Sequence, residues 1–180
     1  MNYSKLPQFL LSLFVTTSTW ASEVTLHAPE LSAEDGDTVL AMVAGKQQKI
    51  QLQGIDAPED TNNPKFQFDL KRTGLSKEEL LTLGQSSTEF LARLLILNSP
   101  FTLHYNPDKK DRYGRAVGVI KNQQGQSVNE LMVINGYAVS TEAKSDEQLN
   151  LNELEQQAKE EKNGLWQYQA DTFSRWARKK

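Results

Sequence analysis

Three short groups of polar residues contain the side chains of this chain that could do chemistry. They are Asp35-Gly36-Asp37-Thr38, Gly54-Ile55-Asp56-Ala57-Pro58-Glu59 and Asp111-Arg112-Tyr113-Gly114-Arg115. Carboxylate oxygens are the ligands that hard divalent cations such as calcium prefer. An arginine guanidinium binds a phosphate through paired hydrogen bonds. If the fold brings the three groups together, they would form a site for a divalent cation and a phosphate ester.

The carboxylates of the first two groups have both structural and chemical interpretations. Asp and Gly are common turn residues, so we assign Asp35 to a turn and Asp37, at the start of a strand, to the site. Asp56 and Glu59 follow an apolar strand. Asp37, Asp56 and the carbonyl of Ala57 would hold a cation. Glu59 would orient or deprotonate a water molecule beside it.

Arg115 in the third group would hold the phosphate and stabilise charge that develops on it. The alternative is a surface arginine at a strand edge. The residues beside it that would contact a polyanion are Lys109, Lys110, Arg112 and Tyr113. His27 and His104 are expected to be structural, and the chain has no cysteine. Histidine catalysis, thiol catalysis and a cysteine-bound zinc site are therefore not expected.

In this order and spacing the three groups resemble the staphylococcal nuclease-like (thermonuclease) family, and the resemblance covers roughly residues 34–166. It implies a five-stranded barrel with three helices. Active members of that family are calcium-dependent endonucleases that cleave DNA and RNA at the 5′-oxygen bond and leave 3′-phosphates. The resemblance implies that Asp37 and Asp56 are calcium ligands, that Glu59 activates the water, and that Arg115 is one of two catalytic arginines.

Three features depart from that family. Gln51 stands where the second arginine is expected, and a glutamine can donate a hydrogen bond but carries no charge. Residues 140–144 lack the tyrosines that stack on the nucleotide. An insertion over 60–83 follows the second group, and its Lys71 and Arg72 are candidates for a substitute cation. We therefore keep three hypotheses: a calcium-dependent endonuclease, a catalytically weak or inactive nuclease-fold domain that binds nucleic acid or protein, and a calcium-binding structural module.

The length and composition of the chain limit the classes of protein to which it can belong. The chain has 180 residues and no cysteine, which suits one domain whose core holds without disulfides. Residues 1–21 combine Lys5 with an apolar run and end at the small Ala21, which predicts a signal peptide. The mature domain would then be 22–180, exported to the periplasm or secreted, monomeric, and without stable membrane insertion. A retained membrane anchor is the alternative.

The charge distribution is uneven. A net charge of −3 is not typical of a nucleic-acid-binding domain. Basic residues are nevertheless concentrated over 109–115 and in a C-terminal tail over 171–180. The local field steers a polyanion more than the net charge does. The first cluster would thus guide DNA or RNA to the site, whereas the tail is expected to be solvated surface.

Hydrophobic periodicity predicts the elements that must position these residues. Strands are expected at 24–28, 37–43, 49–55, 100–105 and 115–121. Helices are expected from Ser86 or Ser87 to Asn98, over 128–135, and over 146–163 with a left-handed cap at Gly164. Pattern alone supports a small barrel or sheet. With the resemblance we expect an α+β, mainly β fold, namely a five-stranded barrel of the oligonucleotide-binding (OB) type with about three packed helices.

The insertion over 60–83 interrupts that plan. Asn62-Asn63-Pro64 predicts a loop. Ser76-Lys77-Glu78-Glu79 has the form of a capping box, with Leu75 and Leu80 placed as a hydrophobic staple. We therefore expect the insertion to carry its own short helix.

Overall fold

The structure, a computed structural model, describes residues 22–141 and 146–178. The predicted signal peptide lies outside the described residues. The strands are β1 (Ser22–Leu26), β2 (Leu31–Ala33), β3 (Thr38–Val43), β4 (Lys46–Leu52), β5 (Ile55–Asp56), β6 (Phe101–Lys110), β7 (Ala116–Asn122) and β8 (Val139–Ser140). The helices are α1 (Pro64–Thr73), α2 (Lys77–Leu97), α3 (Val128–Ile134), α4 (Asp146–Glu160), α5 (Leu165–Tyr168) and α6 (Ala170–Ala177). None of these helices combines the length and the apolar character needed to cross a membrane.

A mixed sheet curls into a half-barrel at the centre of the fold. Its strand order is β1-β6-β7-β4-β3-β2, with β4 and β7 parallel and the other neighbours antiparallel. Strands β5 and β8 form a separate two-stranded sheet. The predicted α+β, OB-like fold is therefore confirmed, although the described part of the main sheet has six strands where five were expected.

Alternation along β3 and β4 fills the barrel. Val39, Ala41, Ile50 and Leu52 point into the core and are buried, as a half-buried strand requires. Gln51, between two of them, points to the opposite face at only partial exposure. One face of α2 closes this first core, because its Leu91 and Leu95 are buried against the strands.

The insertion carries a short helix of its own, α1, as predicted, but this helix does not start at the predicted capping box. The predicted loop at Asn62-Asn63-Pro64 holds for its first two residues, but Asn63 also caps α1: its side chain accepts a hydrogen bond from the backbone N–H of Phe66, and Pro64 takes the first helical position, where a missing N–H costs nothing. The capping box at Ser76 does form, but it opens the 21-residue helix α2. The predicted helix start at Ser86 or Ser87 is therefore wrong, since both residues lie inside α2.

The C-terminal segment over 171–180 is predicted to be a solvated basic tail. In its described part Arg175 and Arg178 are exposed as predicted, but the segment is a helix with a buried apolar face. Residues 170–177 form α6, whose Phe173 and Trp176 are buried in a second core with α1, α2, α4 and α5. The Trp176 indole N–H donates to Asp69 Oδ2 at 3.0 Å. Apolar residues three positions apart on one helical face account for this burial, and they outweigh the neighbouring charges.

The end of α4 also differs from the prediction. The left-handed residue after this helix is Lys162, with φ of 55°. Gly164 has φ of 51° and ψ of −123°, which lies outside the left-handed helical region and is accessible to glycine, and it is the N-cap of α5. A Cβ at Gly164 would lie 2.3 Å from the carbonyl oxygen of Asn135, so this glycine allows α5 to approach the end of α3.

Candidate active site

All three polar groups contribute to one cavity of about 740 Å³ at the end of the half-barrel. Asp37, Asp56, Glu59 and Arg115 all line it. Gln51 of β4 lines it as well, and the insertion adds residues 63–65. The fold therefore brings the predicted catalytic and ligand side chains to a single place.

Asp37 is buried and fixed by short-range hydrogen bonds. Its Oδ2 accepts from the backbone N–H of Ala57 at 3.1 Å, and its Oδ1 accepts from the Thr38 hydroxyl at 3.2 Å. Its own N–H donates to Asp35 Oδ1 at 2.9 Å, so Asp35 stabilises the turn. These contacts tie the start of β3 to the residue that follows β5. They hold Asp37 beside Asp56 without using all the lone pairs of either carboxylate.

Two glycines allow helix α2 to support this region. A Cβ at Gly36 would lie 2.7 Å from the Cβ atoms of Ala57 and Ser87. A Cβ at Gly84 would lie 2.2 Å from the carbonyl oxygen of Glu59. Sequence reasoning missed both roles. Gly36 lies in a predicted turn and Gly84 precedes the predicted helix start at Ser86 or Ser87, so neither glycine stands inside a predicted helix where its packing role would be noticed.

Lys65, in the first turn of α1, is the main site residue that sequence reasoning missed. Its Nζ lies 2.9 Å from Asp56 Oδ1, 2.7 Å from Glu59 Oε1 and 2.9 Å from the carbonyl oxygen of Ala57. These three acceptors use all three ammonium protons. The signal available in the sequence was the Asn63-Pro64 helix start, which turns the next side chain back towards the residues just before it.

Burial and neighbouring charges shift the pKa values of this cluster. Burial raises the pKa of Asp37 to about 6, although the Lys65 charge acts in the opposite direction. Burial raises the pKa of Asp56 to about 6 as well, again against the effect of Lys65. Burial acts to lower the pKa of Lys65, but Asp56, Asp37 and Glu59 together hold it above its usual range. The ammonium is therefore charged at every pH at which the protein would work.

Arg115 is oriented by the loop that precedes it and by β3. Its Nε donates to Asp111 Oδ2 at 2.7 Å, and one terminal nitrogen donates to the Thr38 hydroxyl at 2.8 Å. The same nitrogen lies 3.9 Å from Asp37 Oδ1. Burial acts to lower the pKa of Arg115, but Asp111 and Asp37 raise it. The guanidinium is thus fixed, charged and only partly covered, which suits it to hold an anionic oxygen.

Gln51 lies in the cavity wall and is poorly bonded. Its side-chain N–H donates to the carbonyl oxygen of Leu52 at 3.4 Å, which is a long hydrogen bond. Its Oε1 is buried and has no hydrogen-bond partner among the described residues. Backbone pairing with Thr38 and Val117 fixes its position between β3 and β7. The expected place of the second arginine is therefore inside the cavity and carries no charge.

The residues predicted to bind nucleic acid divide into two sets. Arg112 and Tyr113 line the cavity, and the Arg112 guanidinium lies 4.7 Å from the centre of the Tyr113 ring. Arg115 lies over the same ring at 5.3 Å. Lys109 and Lys110 are exposed at the end of β6 and do not line the cavity. Lys109 and Lys110 therefore add positive charge outside the edge of the cavity.

Lys71 and Arg72, the predicted substitute cations, do not line the cavity. Arg72 donates to Asp69 Oδ1 at 2.9 Å and to the carbonyl oxygen of Trp176 at 2.8 Å, so it joins α1 to α6. Lys71 is exposed, and neither residue lines the cavity. The insertion does supply a cation to the site, but that cation is Lys65. The reason is that α1 begins beside Glu59, so only its first turn reaches the cavity.

The oxygen donors of the cavity form a candidate site for a metal ion. Within 22–141 and 146–178, no group of three or more His, Cys, Asp or Glu side chains is arranged to hold a metal. Asp37, Asp56 and the Ala57 carbonyl nevertheless form an oxygen-only set, which suits a hard cation. The Lys65 ammonium contacts two of these three residues. The donor set therefore matches a hard divalent cation in its chemistry, and in this structure the ammonium takes up part of it.

The cavity carries a net negative charge. Six acidic and four basic side chains line it, which leaves an excess of two negative charges when all are ionised. A phosphodiester is itself anionic, so this lining repels it on balance. Binding of such a substrate next to Glu59 therefore requires additional positive charge.

Comparison with known proteins gives consistent results. A family model described as staphylococcal nuclease homologue matches residues 49–168. The chain is 29% identical over 151 residues to an uncharacterized endonuclease of Escherichia coli, covering 84% of this chain and 83% of that protein. It is 31% identical over 88 residues to the thermonuclease of Staphylococcus hyicus, covering 48% of this chain and 43% of that one. It is 33% identical over 106 residues to endonuclease YhcR of Bacillus subtilis, covering 58% of this chain but only 8% of YhcR.

Proposed function

Because this chain belongs to the staphylococcal nuclease homologue family, we propose that it is an endonuclease that hydrolyses phosphodiester bonds of DNA, RNA or both. The observation that carries the proposal is the meeting of Asp37, Asp56, Glu59 and Arg115 in one cavity. The names of the E. coli and B. subtilis relatives agree with it.

We further propose that hydrolysis depends on calcium. Asp37, Asp56 and the carbonyl of Ala57 would hold the ion, and their oxygen-only chemistry favours calcium over softer metals. The excess negative charge of the cavity supports the same conclusion, because a phosphate needs a counter-charge there. When bound, calcium would neutralise the carboxylates and polarise the phosphate oxygen.

The side chains of the chain itself would carry out the other parts of the reaction. Glu59 would take a proton from the attacking water, and the water oxygen would bond to phosphorus as the bond to the 5′-oxygen breaks. Arg115 would hold an anionic phosphate oxygen, with Thr38 and Asp111 keeping its guanidinium in place. The departing 5′-oxygen would take a proton from solvent, so the products would be a 3′-phosphate on one fragment and a 5′-hydroxyl on the other.

Digestion of single-stranded DNA, duplex DNA and RNA tests the proposal. Cleavage is expected with calcium chloride and not after exhaustive treatment with EDTA. Asp56→Ala is expected to abolish cleavage with calcium, whereas the exposed Glu78→Gln is expected to behave as the wild type. Cleavage that survives chelation would refute the calcium dependence. Absence of cleavage by a folded wild-type protein with any divalent cation would refute the nuclease itself.

A second candidate function is a domain that binds nucleic acid without cutting it. The observation in its favour is Gln51, which leaves the cavity without the second arginine charge. Fluorescence anisotropy with a labelled oligonucleotide separates the two. Salt-sensitive binding with the oligonucleotide still intact after prolonged incubation in calcium would support this second function and contradict the first.

The basic surface next to the cavity is proposed to guide the polyanion. It comprises Lys109, Lys110 and Arg112. Removing one side chain that binds a phosphate should reduce the slope of log K against log salt by about 0.7 to 0.9. The triple alanine variant should therefore bind an oligonucleotide more weakly and with a slope reduced by up to about 2 to 3. An unchanged slope would show that these side chains are only solvated surface.

Export and a monomeric state are also proposals. The basis for export is the leader-like sequence of residues 1–21. Expression of the full chain in a bacterial host, followed by N-terminal sequencing of the exported fraction, should give a protein that starts at Ser22. Recovery of the uncleaved chain in the membrane fraction would support a retained anchor. Light scattering on the mature protein should give the mass of one chain.

A further inference from the structure

We propose that Lys65 is a built-in competitor of the divalent cation: its ammonium occupies the cation position in the resting protein and is displaced when the cation binds. The inference rests on the proposed function in one respect, the assignment of the cation ligands to Asp37, Asp56 and Ala57. It goes beyond it, because it assigns to a residue of the insertion control over the cation affinity.

The first support is the coordination of the ammonium. Lys65 Nζ lies 2.9 Å from Asp56 Oδ1, 2.9 Å from the Ala57 carbonyl oxygen and 2.7 Å from Glu59 Oε1. A lysine ammonium has three protons, and all three are used here. Two of these oxygens belong to proposed cation ligands, and the third belongs to the proposed general base. A cation and this ammonium cannot use the same oxygens together, since two like charges would then be a few ångströms apart.

The second support is the way the insertion presents Lys65. Asn63 caps α1, and its side-chain amide also donates to Glu59 Oε2. Phe66, the next residue, is fully buried in the second core. The backbone on both sides of Lys65 is therefore held against the site. The Lys65 ammonium is therefore positioned by the start of a helix. It is a defined part of the cavity and not a surface charge near it.

The third support is that displacement is possible without unfolding. The Lys65 side chain is 27% exposed and lines an open cavity. A lysine has a long stem with several rotatable bonds, so the ammonium can move while α1 stays in place. Displacement would leave its charge in the same cavity, facing the place where the phosphate must bind. Release of Glu59 from the ammonium would also leave Oε1 of this carboxylate open to the cavity.

Calcium binding measured by calorimetry tests the competition without any assay of cleavage. Calcium chloride is titrated into the wild type, Lys65→Met and Lys71→Met. Methionine keeps most of the side-chain length, and Lys71 is an exposed lysine of the same helix, so its variant controls for the loss of one positive charge. We expect Lys65→Met to bind calcium at least about tenfold more tightly than the wild type and Lys71→Met to match the wild type. Equal or weaker binding by Lys65→Met would overturn the proposal.

A second measurement uses only the wild type and so does not depend on the folding of the variant. Reductive methylation of lysines is followed by mass spectrometry in EDTA and in saturating calcium chloride. Lys65 should react slowly in EDTA and several-fold faster in calcium, while Lys71 should react equally in both. A Lys65 rate that stays the same or falls in calcium would overturn the proposal.

The outcomes separate this inference from the proposed function. Cleavage with calcium together with an unchanged calcium affinity of Lys65→Met would leave the nuclease intact and overturn the competition. Tighter calcium binding by Lys65→Met in a protein that never cleaves would support the competition and refute the nuclease. Cleavage in EDTA that disappears in Lys65→Met would show that the ammonium replaces the metal permanently, and displacement would then be wrong.

Discussion

Replacement of Gly84 by alanine tests how closely α2 must approach the candidate active site. A Cβ at this position would lie 2.2 Å from the Glu59 carbonyl oxygen, 2.3 Å from its carbonyl carbon and 2.5 Å from the backbone nitrogen of Asp60. These are backbone atoms, so no side-chain rotation relieves the contact. Restoring an ordinary separation of 3.4 Å requires α2 and the backbone of Glu59 to move apart by about 1.2 Å.

The expected magnitudes follow from that displacement. Alanine in a helix interior is normally about 1 kcal/mol more favourable than glycine. Overpacking of a tight contact costs about 1–3 kcal/mol, so a net loss of stability of up to about 2 kcal/mol is expected. The effect on turnover should be larger, because a misplacement of about 1 Å in a catalytic group can reduce the rate about 100-fold. Gly84→Ala should therefore fold and lose most of its activity.

The assay combines urea unfolding with initial rates of DNA cleavage in calcium. The exposed Gln85→Ala, on the same helix, is the matched control and should retain both stability and rate. A Gly84→Ala protein with wild-type turnover would refute the reasoning, since it would show that Glu59 need not be held where α2 holds it. A large loss of stability with an unchanged rate per folded molecule would refute it equally.

Charge in and around the cavity leads to three more expected outcomes. Gln51→Arg should raise kcat at least about tenfold, and at most about 10²–10³-fold, because it restores a charged donor. An unchanged kcat would mean that another group supplies the charge. Asp37 and Asp56, with pKa values raised to about 6, hold protons in the folded state that the unfolded chain releases. The unfolding free energy without calcium, measured by denaturant titration, should therefore fall as the pH rises from about 4 to 6. The calcium affinity, measured by calorimetry, should fall up to about tenfold per pH unit below 6 for each proton displaced. Arg72→Ala should lower the unfolding free energy by about 3 kcal/mol, because it leaves the buried carboxylate of Asp69 without its ion pair. The kcat per folded molecule should stay unchanged. A loss of kcat would show that Arg72 acts in the site.

The sequence predicted the parts of the fold that depend on short-range patterns. Alternation around Ile50 and Leu52 correctly placed Gln51 on the opposite face of β4. The spacing of the three polar groups also identified side chains that the structure does bring into one cavity. Such features were predictable because strand periodicity and turn residues are read from a few neighbouring positions.

The errors come from packing between distant segments. Ser76 was correctly predicted to cap a helix, but this signal does not determine the length of α2. The helix continues past residue 83 because Leu83 is buried against the second core. The burial of Trp176 likewise depends on Asp69, more than a hundred residues away in the chain. Lys65 was missed for the same reason, because its role exists only when α1 starts beside Glu59.

In the proposed mechanism Glu59 acts on a water molecule in a site assembled with a divalent cation and Arg115. The most direct test compares cleavage of DNA by the wild type, Glu59→Gln and the exposed control Glu78→Gln in calcium. Loss of a general base should reduce kcat by about 10²–10⁴ while KM changes little, and Glu78→Gln should match the wild type. A folded Glu59→Gln protein that cleaves at the wild-type rate would show that Glu59 is not the general base.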